Sequence, residues 1–322
     1  MPTHNNMMNN STLSSTRIAL TWGDCGENHA GNQKVGEIQK SGTGVTLADL
    51  AGVQAHYQAK GGVAELKVFT VPDECPAKIE AGVLILRNFL SQEEQLAMMS
   101  ELTSKTWDTK FLNTRTGKVL NKHARSNLIF QRGVTQVAAY EEGKGTIEDI
   151  DSMPHLASAD RKVREISQLI AGLETPTQDC DLICEGNRYR TETTKKSDQQ
   201  GIGYHGDSER TRVFALSIGG YNYPMQWVLF HRYCPMAAPE RVLLNSGDLY
   251  IMSELAVGQH WNKSSLWTWR HAAGHPKYLS LDRYLKAAAE RKAKKEAKKQ
   301  AKLKFKVKTK PKKKLKLVEQ YS

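Results

Sequence analysis

The chain predicts an α+β fold: a double-stranded β-helix, or jelly roll, with supporting helices packed on one sheet. Three observations carry that expectation. Helix-like segments dominate up to about Gly172, whereas after Cys180 the pattern turns to short β-like runs at 181–189, 201–206, 212–218, 225–232, 241–252 and 266–271. Gly or Pro punctuates most of these runs. Helices followed by many short strands suit two packed sheets with helices on one face, and such barrels hold metal sites at the open mouth.

Taken in order, residues 1–15 are Asn/Ser/Thr-rich and are expected to be disordered. Thr46-Leu-Ala-Asp49 is a helix start, with a hydroxyl to accept a backbone N–H and an acid in the first turn. That helix should run to about Lys60 and stop at Gly61-Gly62, and Ala64-Glu-Leu-Lys-Val-Phe69 alternates like a strand. These pieces suggest a small α/β extension over 16–75, ahead of a main domain over 76–285. Gly82–Phe89 is a compact apolar run suited to a buried strand, and Ser91 with Glu94 caps the next helix. Leu96, Met99 and Leu102 fall at helical spacing there as a core stripe. A further helix from Asp160 to about Gly172 carries Val163, Ile166, Leu169 and Ile170 on one face.

Composition narrows the class. The 322 residues suffice for one sizeable core plus appendages, and 39% are apolar. No run of about 18 apolar residues is present, so no transmembrane helix is expected. The polar start Met1-Pro-Thr-His-Asn-Asn lacks the layout of a signal peptide. Five scattered cysteines argue against a disulfide framework and for a reducing, intracellular compartment. Cys180 and Cys184 would share a helix face, but a zinc site needs two more ligands and none is obvious.

The charge is lopsided. Residues 286–322 hold sixteen Lys/Arg against three Asp/Glu, and the rest of the chain is nearly neutral. The first part of this tail suits a solvated helix, and the part from Lys302 onward is expected to be disordered. A basic appendage on a neutral domain suits phosphate binding. Lys310-Pro-Lys-Lys-Lys314 also reads as a nuclear address. A monomer is expected.

The chemistry centres on Gly201-Ile-Gly-Tyr-His205-Gly-Asp207-Ser-Glu209-Arg210. Two ligands one residue apart at a strand end project to the same side, so His205 and Asp207 suit one metal ion. A distant His would complete a facial triad of two imidazoles and a carboxylate, with positions left open on iron. His260 and His271 are the two candidates.

Around this pair stand Glu185-Gly-Asn187-Arg-Tyr189, Val213-Phe-Ala-Leu-Ser-Ile218-Gly, Gly247-Asp248-Leu-Tyr-Ile-Met and Arg270-His271-Ala-Ala-Gly. In that order the blocks resemble the AlkB-like branch of the Fe(II)/2-oxoglutarate dioxygenases. Leu20-Thr-Trp22-Gly-Asp24-Cys-Gly-Glu27-Asn28-His29 and Lys122-His123-Ala-Arg125-Ser-Asn127 look like a variant carried by large DNA viruses. The resemblance covers scattered blocks over roughly residues 15–285.

It implies Fe(II) held by His205, Asp207 and His271, and 2-oxoglutarate as co-substrate. Asn187 and Tyr189 would hydrogen-bond that co-substrate, and Lys277 with Arg283 would face its far carboxylate, although the family pattern has Arg at the first of these positions. Glu209, Arg125 and Asn127 would meet the substrate, and Ser208 stands where the family often has a base-reading Asp. The implied reaction is oxidative dealkylation of N-alkylated bases in DNA or RNA. The alternatives are hydroxylation of a protein side chain, or an inert protein that binds nucleic acid through its tail.

Overall fold

In the computed structural model of the chain, residues 16–75, 79–123, 125–170, 182–190 and 201–308 are described. The order begins with β1 (Thr16–Gly23), β2 (Cys25–Glu27), β3 (Lys34–Gly36), α1 (Leu47–Ala59), β4 (Val63–Val68) and β5 (Gly82–Arg87). It continues with α2 (Gln92–Thr103), the hairpin β6 (Lys110–Asn113) and β7 (Lys118–Asn121), then β8 (Ser126–Gln131), β9 (Ile147–Asp149) and α3 (Pro154–Ser167). The strand-rich part has β10 (Ile183–Arg190), β11 (Gly201–His205), β12 (Val213–Ile218), β13 (Tyr223–His231) and β14 (Cys234–Pro235). It ends with β15 (Glu240–Leu244), β16 (Leu249–Met252), α4 (Glu254–Val257), β17 (Thr268–Gly274), α5 (Pro276–Leu279) and α6 (Asp282–Lys308).

The chain divides into two units, Met1–Ser280 and Leu281–Ser322. In the first, eight strands form a sheet in the order β4-β5-β16-β12-β1-β10-β8-β9. A second sheet runs β11-β17-β13-β14, with β15 also paired to β13. The larger sheet is apolar on both faces because successive side chains of a strand point opposite ways. Ile18, Leu20 and Trp22 of β1, Phe214 and Leu216 of β12, and Leu249 and Ile251 of β16 pack into a core with α1, α2 and α3. The alternate residues, Val213 and Ala215, Tyr250 and Met252, join Met225, Trp227 and Trp269 of the smaller sheet.

Local signals fix the helix starts. Thr46 and Asp49 make a reciprocal capping box for α1, and Ser91 and Glu94 do the same for α2. Pro154 opens α3, where its missing N–H costs nothing. The stripe on α2 is displaced from the expected one: Met98 and Leu102 are buried, Met99 is partly buried, and Leu96 is 54% exposed. Leu169 is likewise exposed, while Val163, Ile166 and Ile170 are core.

The expected boundaries also shift. Residues 16–75 do not stand apart: β1 sits inside the large sheet, antiparallel to both β10 and β12, and β4 extends the same sheet at its edge. Strand pairing is non-local, and periodicity cannot show which strand will be the neighbour. The tail, expected to lose order from Lys302, continues as helix α6 to Lys308. The disorder expected for residues 1–15, the rest of the tail, and Cys180 of the cysteine pair lie outside the described residues. No helix among the described residues is long and apolar enough to cross a membrane.

Candidate metal centre and its cavity

A cavity of about 190 Å³ opens between the two sheets. Arg17, Ala19 and Thr21 of β1, with Glu185, Asn187 and Tyr189 of β10, line it from the large sheet. His205, His271, Met225 and Ala273 line it from the small one.

The antiparallel register sets His205 directly opposite His271, and a register shift between Ile202 and His205 marks the end of β11. Their rings meet edge to face at 4.4 Å between centroids. Asp207 then brings its Oδ1 to 3.5 Å from His205 Nε2 and 3.7 Å from His271 Nε2. One ligand atom from each lies within 4.8 Å of the others, close enough for the three to hold one metal ion. Ideal bonds of about 2.1 Å would place adjacent donors roughly 3.0–3.4 Å apart, so small side-chain shifts suffice. His260 is elsewhere: it borders a separate apolar cavity with Trp267 and Trp269.

The donor chemistry fits a cation. His205 Nδ1 faces two carbonyl oxygens, Gly203 O at 2.9 Å and His271 O at 3.1 Å. Carbonyls only accept, so Nδ1 carries the proton and Nε2 presents its lone pair. Burial, and then the adjacent His271, pushes the His205 imidazolium down to about 4. Burial alone would raise the Asp207 carboxyl, but His271 and Arg210 outweigh it and hold it well below the usual range. At neutral pH the set is a neutral imidazole at His205 and a carboxylate at Asp207, both able to donate electron pairs.

Close backbone packing aims the carboxylate. A Cβ on Gly206 would lie 2.2 Å from Gly258 O, so only glycine allows the turn after β11 to rest on the end of α4. Gly258 itself, at φ 74°, caps that helix, and Asp207 N donates to Val257 O at 3.1 Å. Glu254 at the helix start accepts from Ser41 Oγ and from the amides of Gly42 and Gly44, which fixes α4 to the preceding segment.

Beyond Asp207 the chain is anchored by buried charge pairs. Arg210 bridges Glu185 at 2.6 Å and Glu209 at 3.1 Å. Asp24 accepts from both the amide and the hydroxyl of Thr211 at 2.7 Å and pairs with Arg212 at 3.5 Å. Burial, joined by Asp207 and Glu185 and opposed by Arg210, raises the Glu209 carboxyl to about 7.

The other expected site residues divide. Asn187, Tyr189, Glu209 and Arg125 line the cavity, and Arg125 Nε donates to Asn187 Oδ1. Asn127 lies instead in a neighbouring groove that Arg125 also lines, where its amide donates to Asn28 O at 2.9 Å and its oxygen accepts from Lys122. Lys277 is on α5, off the described cavity wall, with its ammonium 4.9 Å from the Tyr278 ring. Arg283 belongs to the second unit, where it lies over Tyr284. The cavity's cations are Arg17, Arg125 and Arg210. Sequence reasoning missed Arg17, although a lone Arg opening the apolar strand Arg17-Ile-Ala-Leu was a usable signal.

No family model matches the chain. It is 33% identical over 270 residues to an uncharacterized protein of Acanthamoeba polyphaga mimivirus, a match spanning 81% of this chain and 97% of the viral protein. A likeness of that strength across nearly the whole viral chain marks common descent, and this chain belongs to the same family as the mimivirus protein.

Proposed function

We propose that the protein is an Fe(II)/2-oxoglutarate-dependent dioxygenase of the AlkB-like kind on a double-stranded β-helix, acting on N-alkylated bases of nucleic acid. The observation that carries the reading is the convergence of His205, Asp207 and His271 in one cavity with Asn187, Tyr189 and buried Arg side chains. Two imidazoles and one carboxylate suit iron with positions left for a co-substrate. When bound, Fe(II) with 2-oxoglutarate would supply, with O2 as the oxidant, the chemistry that hydroxylates a substrate C–H bond, one oxygen atom going to the new hydroxyl and the other to succinate as CO2 is lost. The chain's own part is to orient and to exclude water. Asn187 and Tyr189 line the cavity, Asn187 held by its bonds to Arg125 and Glu185, and Val213, Met225 and Met252 add apolar surface.

The nucleic-acid part of the reading has two supports. A groove of about 490 Å³ shares His29 and Arg125 with the metal cavity and is lined further by Phe111, Lys122 and His123. His29 stacks on Phe111 at 3.6 Å, so flat faces and cations stand together, as base stacking and phosphate contact require. The second support is α6. At 3.6 residues per turn, eight of the nine basic residues from Arg283 to Lys302 fall on one half of its surface, while Lys286 falls with Asp282, Glu290 and Glu296 on the other.

Metal-replete protein should release succinate from 2-oxoglutarate, and alkylated oligonucleotides should increase the release over lysine- or proline-containing peptides. His205→Ala, Asp207→Ala and His271→Ala should each lose metal binding and turnover, with His260→Ala near wild type. Absence of any succinate from iron-loaded protein would overturn the enzyme reading and leave a nucleic-acid-binding protein.

A further inference from the structure

Arg17 is 4% exposed, yet among the described residues no carboxylate comes within ion-pair distance of it. Its Nη2 donates to Ser217 Oγ at 3.1 Å, and its guanidinium lies 3.4 Å from the centre of the Tyr223 ring. Its Nε is buried with no hydrogen-bond partner among the described residues. Guanidinium cannot shed its proton, so burial without a counter-charge is costly unless an anion is brought to it. Two other buried arginines make the contrast: Arg210 has Glu185 as a partner and Arg212 has Asp24. Arg17 lines the same cavity as the His205–Asp207–His271 group.

We propose that Arg17, delivered by the first strand, is the anion clamp of this cavity, taking the far carboxylate of a small dicarboxylate whose other end reaches the triad. The inference rests on the dioxygenase reading and names the residue that selects its co-substrate, a place expected for Lys277 and Arg283. A guanidinium fork matches a carboxylate with two parallel hydrogen bonds. Tyr189 and Tyr250 bring hydroxyls to the same cavity, and Val213, Met225 and Met252 bring apolar surface for the methylene carbons of such a ligand. The volume of about 190 Å³ suits a five-carbon diacid rather than a nucleotide. Because β1 lies between β10 and β12, the clamp is held by pairing on both sides.

The test is binding rather than turnover. Mn(II)-loaded protein is titrated calorimetrically with 2-oxoglutarate and with 2-oxobutyrate, which keeps the keto-acid end and lacks the far carboxylate. Wild-type protein should prefer 2-oxoglutarate by roughly 30-fold or more, the usual effect of one desolvated charge pair. Arg17→Gln should erase that preference while leaving 2-oxobutyrate and Mn(II) affinity unchanged, a pattern that mere loss of structure cannot give. Arg17→Lys, which keeps the charge without the fork, should fall between, and it serves if the Gln variant does not fold. Lys277→Gln should keep the full preference. The proposal is overturned if the wild type shows no preference, if Arg17→Gln or Arg17→Lys keeps all of it, or if Lys277→Gln removes it. Failure of the dioxygenase reading looks different: no succinate from iron-loaded protein, with the Arg17-dependent preference intact.

Discussion

Lys122 illustrates how far a single residue's meaning depends on its surroundings. In the sequence it belongs to a basic block facing a prospective substrate, together with Arg125 and Asn127. In the fold its ammonium donates to Asn28 O at 3.0 Å, to Asn28 Oδ1 at 2.6 Å and to Asn127 Oδ1. Burial, which Asp108 only partly offsets, pushes it down to about 8. The unfolded chain therefore holds more protons than the folded one between pH 8 and its ordinary value of 10.5. Across that window the penalty of burying the charge disappears, so stability should rise with pH, by about 3 kcal/mol at most. Urea unfolding at pH 7.5, 9 and 10 should show this rise relative to Lys122→Met. Parallel curves for the two proteins would mean that the ammonium is solvated. Arg125 lines both the cavity and the neighbouring groove, whereas Asn127 lines the groove alone.

At the scale of elements, caps and strand alternation were legible because they are local. Thr46 with Asp49 and Ser91 with Glu94 start helices wherever the rest of the chain goes. The buried stripe of α2 was legible only in kind. Spacings of three and four allow neighbouring stripes, and the sheet it packs on selected Met98 rather than Leu96. The contact of β11 with α4 could not be read at all, since Gly206 and Gly258 lie 52 positions apart and neither announces the other. Gly206→Ala must move Gly258 or the turn carrying Asp207. It should cost about 2 kcal/mol or more of stability. It should also weaken metal binding about 10- to 100-fold, as losses of ligand support do. Calorimetric titration of the metal and a thermal melt check both, and an unchanged metal affinity would show that the turn is not what aims the carboxylate.

For the whole molecule, the first strand and the last helix make opposite predictions. Ile18, Leu20 and Trp22 of β1 are fully buried, and Trp22 Nε1 donates to Asp160 at 2.9 Å across to α3. Burying three such side chains stabilises by roughly 5–9 kcal/mol, comparable to the whole stability of a domain. Deleting residues 1–23 should therefore unfold the first unit. Ending the chain at Ser280 should leave its melting temperature within a few degrees of wild type, while weakening oligonucleotide binding and flattening its salt dependence. Oligonucleotide affinity unchanged after that truncation would remove α6 as the nucleic-acid handle. By itself the sequence determined what depends on near neighbours: helix starts, alternating strands, a basic appendage, and the His-x-Asp pair. His260 and His271 remained alternatives until strand pairing set His271 opposite His205. Arg17 reached the cavity because β1, first in the chain, is inserted between strands formed some 170 and 200 residues later. Pairing partners are chosen by burial of two faces at once, and that choice exists only in the folded sheet.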